Sequence, residues 1–163
     1  MLLDGIVAVC ARRGLDSATV QEVTRHSGLA QGTFYNHFVD REALIVEAAK
    51  AILVGVHLKI GQRVRGMPAG IHRMVVAIDS TISEAVVLPD HGKLLSETIG
   101  RYPAITDEVR PALRADMRAG RRSGQMHVRA SRLLDEQIGA LIGLAIRLRL
   151  SGNTKGAINR STC

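Results

Sequence analysis

At 163 residues and a formal net charge of +7, the chain can bury roughly 70% of its unfolded surface, so its core needs neither disulfide nor metal staples. Trp is absent and Tyr and Phe number two each, which leaves an aliphatic interior; Cys10 and Cys163 lie at opposite ends and offer no disulfide framework. Residues 1–50 hold five basic and six acidic side chains against seventeen and nine in the remainder, so general cationic attraction to nucleic acid cannot be the basis of function.

No basic, apolar, leader-like segment opens the chain. Its longest apolar stretch, around Ile138–Ile146, falls far short of the ~18 residues of a membrane helix. A cytoplasmic protein without membrane contact is expected. Leu2, Leu3, Ile6, Val7 and Cys10 recur at helical spacing, and Arg12, Arg13 and Gly14 suit the end of that first helix. Thr19-x-x-Glu22 forms a capping-box pattern, in which the hydroxyl takes a free amide and the carboxylate reaches back. It opens a second helix that Ser27-Gly28 closes.

A third helix is predicted from Ala30 to Phe38. Ala30, Phe34 and Phe38 are four apart and share an inward face. Gln31, Gly32, Thr33, Asn36 and His37 are displaced from it and face outward. Asp40 caps a fourth helix carrying Leu44, Ala48 and Ile52. Gly61, Gly66, Met67-Pro68 and Gly70 form a breaker cluster. Helical patterns return over residues 71–88, 93–100, 103–120 and 131–150, and the polar tail 151–163 lacks periodicity. No useful β-alternation and no repeat is present, so the fold class is all-α.

The chemistry concentrates in residues 19–38. Two short helices joined by a glycine turn, the second with small polar side chains outside and aromatic anchors behind, suit the major groove, where each base pair shows a distinct donor and acceptor pattern. Thr19-Val-Gln-Glu-Val, Ser27-Gly-Leu-Ala-Gln-Gly-Thr-Phe-Tyr-Asn-His-Phe38 and Asp40-Arg-Glu-Ala-Leu44 resemble the DNA-binding segment of the TetR family of bacterial transcriptional regulators. The likeness covers residues 2–45 closely and extends beyond them only in layout.

That resemblance implies an N-terminal helix-turn-helix domain over residues 1–45 and a helical ligand-binding and dimerisation domain over 46–150. It implies that Gln31, Gly32, Thr33 and Asn36 face base edges, and that Thr19, Tyr35, His37 and Arg41 contact phosphates. It further implies a homodimer on a palindromic operator of double-stranded DNA, joined through the Ser131–Leu150 helix, and a repressor released by a small effector. The family commonly carries a basic segment ahead of its first helix and a second long helix after its last. Here the sequence opens inside the first helix and ends in a short tail, so fewer phosphate contacts and a smaller dimer are expected. The Val23-Thr24 pair replaces a small apolar pair and is expected to loosen the second helix.

Other signals have plainer readings. His57, His72, His91 and His127 show neither i,i+4 pairing nor acidic partners at ligand spacing, so no metal site is expected. No nucleophile elbow, phosphate loop or dinucleotide fingerprint occurs, so neither enzyme nor cofactor is expected. Arg110, Arg114, Arg118, Arg121 and Arg122 lie along one helix face; a solvated face is the ordinary reading, an anion-contacting surface the sharper one. Gly139 and Gly143 mark close packing, for which a two-fold dimer interface accounts better than a core helix. An effector pocket lined by Val, Ile, Leu and Met from residues 71–150, with Tyr102 the only aromatic available, favours an aliphatic or acyl-like ligand. The competing reading is a helical dimeric interaction module with weakened or lost DNA binding.

Overall fold

The computed structural model describes residues 1–152. Its elements are α1 (Leu2–Arg13), α2 (Val20–Ser27), α3 (Gln31–Tyr35), α4 (Arg41–Arg63), α5 (Ile71–Val87), α6 (Pro89–Thr98), a 3-10 turn (Pro103–Thr106), α7 (Arg110–Arg122) and α8 (Arg132–Leu150). The chain is all-α, with no strand among the described residues. The expected polar tail lies, beyond Gly152, outside the described residues.

The apolar periodicity produces two aliphatic clusters that meet along α4. The first gathers Ile6, Val7 and Cys10 of α1, Val23 of α2, Phe34 of α3 and Leu44, Ile45 and Ala48 of α4. The second gathers Ala49 and Leu53 of α4 with Ala85, Leu95, Ile99, Ile105 and Ile146. Leu94 of α6 belongs to the first cluster, while its neighbour Leu95 belongs to the second. Consecutive residues on a helix point in different directions, so α6 is wedged between the two. Tyr102 packs against both clusters; its hydroxyl lies 3.5 Å from Glu42 Oε1 and the Arg101 guanidinium sits 5.5 Å from its ring centroid. It therefore seals the joint between the clusters.

Several local expectations change. Pro89, read from sequence as an interruption, instead occupies the first turn of α6, where its missing amide costs nothing. Pro103 starts only a 3-10 turn, and α7 begins at Arg110. The breaker cluster is narrower than expected, because Gly61 lies inside α4. Asp116 of α7 fixes the segment after it, accepting from Gly70 N at 3.0 Å and from Arg73 Nε at 2.8 Å.

The largest change concerns α8. Asp135, Gly139, Gly143 and Ile146 form its buried face. A Cβ on Gly139 would lie 3.3 Å from Ile99 O; one on Gly143 would lie 2.9 Å from Ile99 Cγ2 and 3.1 Å from Ser96 O. Both glycines thus let α6 approach α8 within the chain, and the sequence-based preference for a dimer interface at these glycines is not supported. Leu133, Leu141, Leu144 and Leu148 stay exposed and, at 100° per residue, fall on the opposite side of the helix. The helix thus has two apolar faces, one spent inside the chain.

Candidate nucleic-acid interface and interior cavity

Thr19 caps α2: its Oγ1 accepts from Glu22 N at 3.2 Å. The reciprocal half of the predicted capping box is replaced, because Ser17 O already accepts from Thr19 N at 3.0 Å. The freed Glu22 carboxylate binds Arg25 at 2.7 Å and Arg13 at 3.0 Å, and chiefly the Arg25 hydrogen bond holds its carboxyl below the usual range. Thr24 does not loosen the helix. It is buried, and its hydroxyl donates to Val20 O at 2.9 Å. Gly28 ends α2 in the left-handed region, φ 66°, a conformation that costs a Cβ-bearing residue about 1 kcal/mol or more.

The turn delivers α3 with Phe34 fully buried beneath it. Phe34 stacks edge-on with Tyr35 and at a tilt with Phe38, with centroids 5.2 and 5.8 Å away. Helix geometry ends at Tyr35, three residues earlier than predicted, and Phe38 closes the turn by donating its amide to Phe34 O at 2.9 Å. Ala30 is the exposed N-cap rather than an anchor. Above the anchors, Gln31, Gly32, Asn36 and His37 are exposed, Thr33 is half-buried and Tyr35 is 61% exposed. Thr19 is exposed beside them at the head of α2. These small donors and acceptors on a protruding helix can reach base edges, while the Tyr35 hydroxyl and the His37 ring can reach phosphate oxygens.

Arg41 is different. It is half-buried, and its Nη1 donates to Leu15 O at 2.9 Å, with Asp16 O and Ala18 O each at 3.4 Å. Those carbonyls belong to the loop that leads into Thr19, so Arg41 holds the α1–α2 loop in place.

Below this unit lies a cavity of about 110 Å³ that is partly open to solvent. Its apolar wall includes Met74 and Ile78 of α5, Leu113 of α7, Ile138 and Ile142 of α8, and Leu53 of α4. The wall thus reaches outside the expected 71–150 range, through Leu53 and His57, and no aromatic residue contributes to it. Tyr102 is excluded because it serves the joint above. Arg110, Asp116 and Asp135 also line the cavity, a polar end that the sequence reading missed. Asp135 donated the signal: an acid four residues before Gly139 stands on the buried face of α8.

The arginine stripe divides accordingly. Arg114 grips Asp135 Oδ2 through Nε at 2.9 Å and Nη2 at 2.5 Å. Arg110 pairs with Asp107 at 2.5 Å and donates to Pro103 O at 3.0 Å. These two arginines are neither a solvated face nor an open anion surface, because they neutralise a buried carboxylate. Arg118, Arg121 and Arg122 remain exposed.

A short exposed helix behind a glycine turn, mounted on an all-α body, defines a helix-turn-helix fold. Residues 2–48 match the bacterial regulatory proteins of the tetR family. An uncharacterized HTH-type transcriptional regulator, YvdT of Bacillus subtilis strain 168, is 34% identical over 65 residues, or 40% of this chain. The chain spans about a third of that relative, 34% of its length. RolR without ligand superimposes with a TM-score of 0.72 at 21% identity, over 92% of this chain and 81% of that one. RolR in complex with resorcinol gives 0.71 at 21%, over 92% and 76%. The fatty acid degradation regulator FadR from Bacillus halodurans gives 0.64 at 14%, over 93% and 97%. At such identities the solved structures establish the fold. The matched family is one of regulatory proteins, and YvdT and FadR are described as regulators. No helix among the described residues is long and apolar enough to cross a membrane.

Proposed function

We propose that the protein is a DNA-binding transcriptional regulator, a homodimeric repressor that a small effector releases from a palindromic operator in the cytoplasm. The observation that carries the reading is the exposed polar face of α3 standing on buried Phe34. In this reading Gln31, Gly32, Thr33 and Asn36 face base edges, and Thr19, Tyr35 and His37 grip phosphates. Arg41 joins them through the guanidinium hydrogens not spent on the loop carbonyls. Dimerisation uses the outer leucines of α8, exposed by 65%, 64%, 45% and 42% at positions 133, 141, 144 and 148. Such a stripe is costly to leave in water and suits a two-fold contact that sets the recognition helices about 34 Å apart.

The cavity favours a small effector. RolR binds resorcinol, and a cavity of about 150 Å³ takes benzene, so about 110 Å³ suits one ring or a short branched chain. This narrows the aliphatic or acyl-like preference drawn from composition to a small body. The near-neutral segment 1–50 is the support for the competing interaction-module reading. A mobility-shift titration with DNA flanking the protein's own gene separates the two. Saturable binding that weakens uniformly in Tyr35→Phe and loses sequence preference in Asn36→Ala supports the regulator. Wild-type protein that retards no DNA at micromolar concentration, in low salt, sinks it.

A further inference from the structure

The polar end of the cavity is incomplete in one specific way. Asp135 is 3% exposed at its side chain. Its Oδ2 takes both Arg114 hydrogen bonds, whereas Oδ1 is buried with no partner among the described residues. Arg110 Nε is likewise buried with none, although its terminal nitrogens serve Asp107, Pro103 O and Thr106 Oγ1. The two unspent atoms are neighbours, since Nε lies 3.5 Å from Oδ2 of the same carboxylate. The remaining acid there, Asp116, is committed to Gly70 N and Arg73. Buried polar atoms in folded proteins are nearly always satisfied, and an unsatisfied one costs more than the hydrogen bond it would make. One acceptor and one donor without partners among the described residues therefore belong to two residues that line the cavity.

From this we infer that the cavity is built for a small neutral hydroxyl compound, a phenol or an alicyclic alcohol. The inference rests on the effector reading above and names the class of ligand. A hydroxyl is a donor and an acceptor on one atom. Its O–H donates to Asp135 Oδ1, and its oxygen accepts from Arg110 Nε. A carboxylate satisfies the arginine but sets its charge against Asp135; an ammonium satisfies the acid but meets Arg110 and Arg114. A hydrocarbon fills the chamber and leaves both atoms unpaired. The ring or branched carbon body lies against Met74, Ile78, Leu113, Ile138 and Ile142.

Isothermal titration of the wild-type protein with five probes, each built on a single six-membered ring, tests this: phenol, cyclohexanol, toluene, benzoate and benzylammonium. Phenol or cyclohexanol binds saturably at one per chain, at least tenfold tighter than the other three, and the phenol-to-cyclohexanol ratio tells the aromatic class from the alicyclic. Ala77→Leu, which fills the chamber, abolishes that binding. Asp135→Asn turns the acceptor into a donor and weakens the hydroxyl probes at least tenfold while leaving toluene unchanged. Neither hydroxyl probe binding, a charged probe or toluene matching them, or unchanged binding in Ala77→Leu overturns the assignment. The ligand series needs no variant, so a poorly folding Asp135→Asn does not block the test. The DNA mobility shift, run on the same protein, keeps the two ideas apart. DNA binding without hydroxyl binding removes the cavity assignment; hydroxyl binding without DNA binding leaves it and removes the regulator.

Discussion

Replacing single glycines by alanine gives a graded stability test of how α6 packs on α8. At Gly55, exposed in mid-α4, an added Cβ meets nothing within 4 Å, so only helix propensity acts. Gly55→Ala is expected to stabilise by about 0.5–1 kcal/mol. At Gly143 the same gain is opposed by overlap: 2.9 Å to Ile99 Cγ2 and 3.1 Å to Ser96 O. One neighbour is a β-branched side chain with few rotamers, the other a helix carbonyl, so neither yields locally. Overpacking of this kind costs about 1–3 kcal/mol, and the net result is a destabilisation of about 1–2 kcal/mol. Gly139, 3.3 Å from Ile99 O alone, falls between the two. Urea titrations at one protein concentration read the order Gly55→Ala, wild type, Gly139→Ala, Gly143→Ala, from most to least stable. A Gly143→Ala protein as stable as Gly55→Ala would refute the close approach. A loss that vanishes on raising protein concentration would return the glycines to a dimer interface.

Phe34→Ala empties the centre of the helix-turn-helix unit and is expected to cost about 3–5 kcal/mol by chemical denaturation; Tyr35→Phe, at an exposed position, shifts stability by no more than about 0.5 kcal/mol. Thr19→Ala removes the α2 cap and costs about 1 kcal/mol, with the change seen as lost helicity and a lower midpoint. Cys10 is sheltered by burial, which pushes its thiol up to about 11. It is therefore expected to resist alkylation at pH 8 until the protein unfolds, as read by peptide mass spectrometry. The sign follows from the raised value. The native state holds a proton that the unfolded chain sheds near pH 9, so this contribution is intact below about pH 9 and is lost as pH rises towards 11. Asp116→Ala strands Gly70 N and Arg73 and is expected to cost about 2 kcal/mol, with faster proteolysis in residues 64–70.

Legibility followed the range of the forces involved. The helix-turn-helix unit was readable because its determinants are local: a cap at Thr19, a left-handed glycine at Gly28, aromatic anchors at spacings of one and four, and a cap at Asp40. Even there, long-range partners altered details. Glu22 abandons its capping role for Arg13 and Arg25, and Arg41 is drawn to the carbonyls of residues 15–18. The C-terminal half was legible as helices but not as a cavity. Whether Arg110 and Arg114 are solvated depends on Asp135, which lies 25 and 21 residues away, and no periodicity encodes that pairing. The two faces of α8 were indistinguishable for the same reason. Leucine outside and glycine inside reverses the usual expectation, because the inside had to be narrow.

The placement of α6 links the cavity to the helix-turn-helix unit. At its far end Ile99 lines the cavity and touches both α8 glycines. In its middle Lys93 donates to Ala11 O at 2.5 Å, and near its end Glu97 accepts from Leu15 N at 3.0 Å. Leu94 is buried among α1 and α4 residues. One short helix therefore carries a cavity wall on one side and holds α1 and the loop before α2 on the other. An occupant that moves Ile99 must either compress against Gly143, which has no space to give, or shift α6 as a body and take the α1–α2 loop with it. A ligand changes DNA affinity only as far as it prefers one of those two positions. Lys93→Ala and Glu97→Gln cut the link without touching the cavity or the exposed face of α3. They are expected to leave effector affinity and unliganded DNA affinity within about threefold while reducing the effector's influence on DNA binding. Coupling unchanged in the double variant would mean that the signal travels through α4 instead, whose Leu53 and His57 also line the cavity.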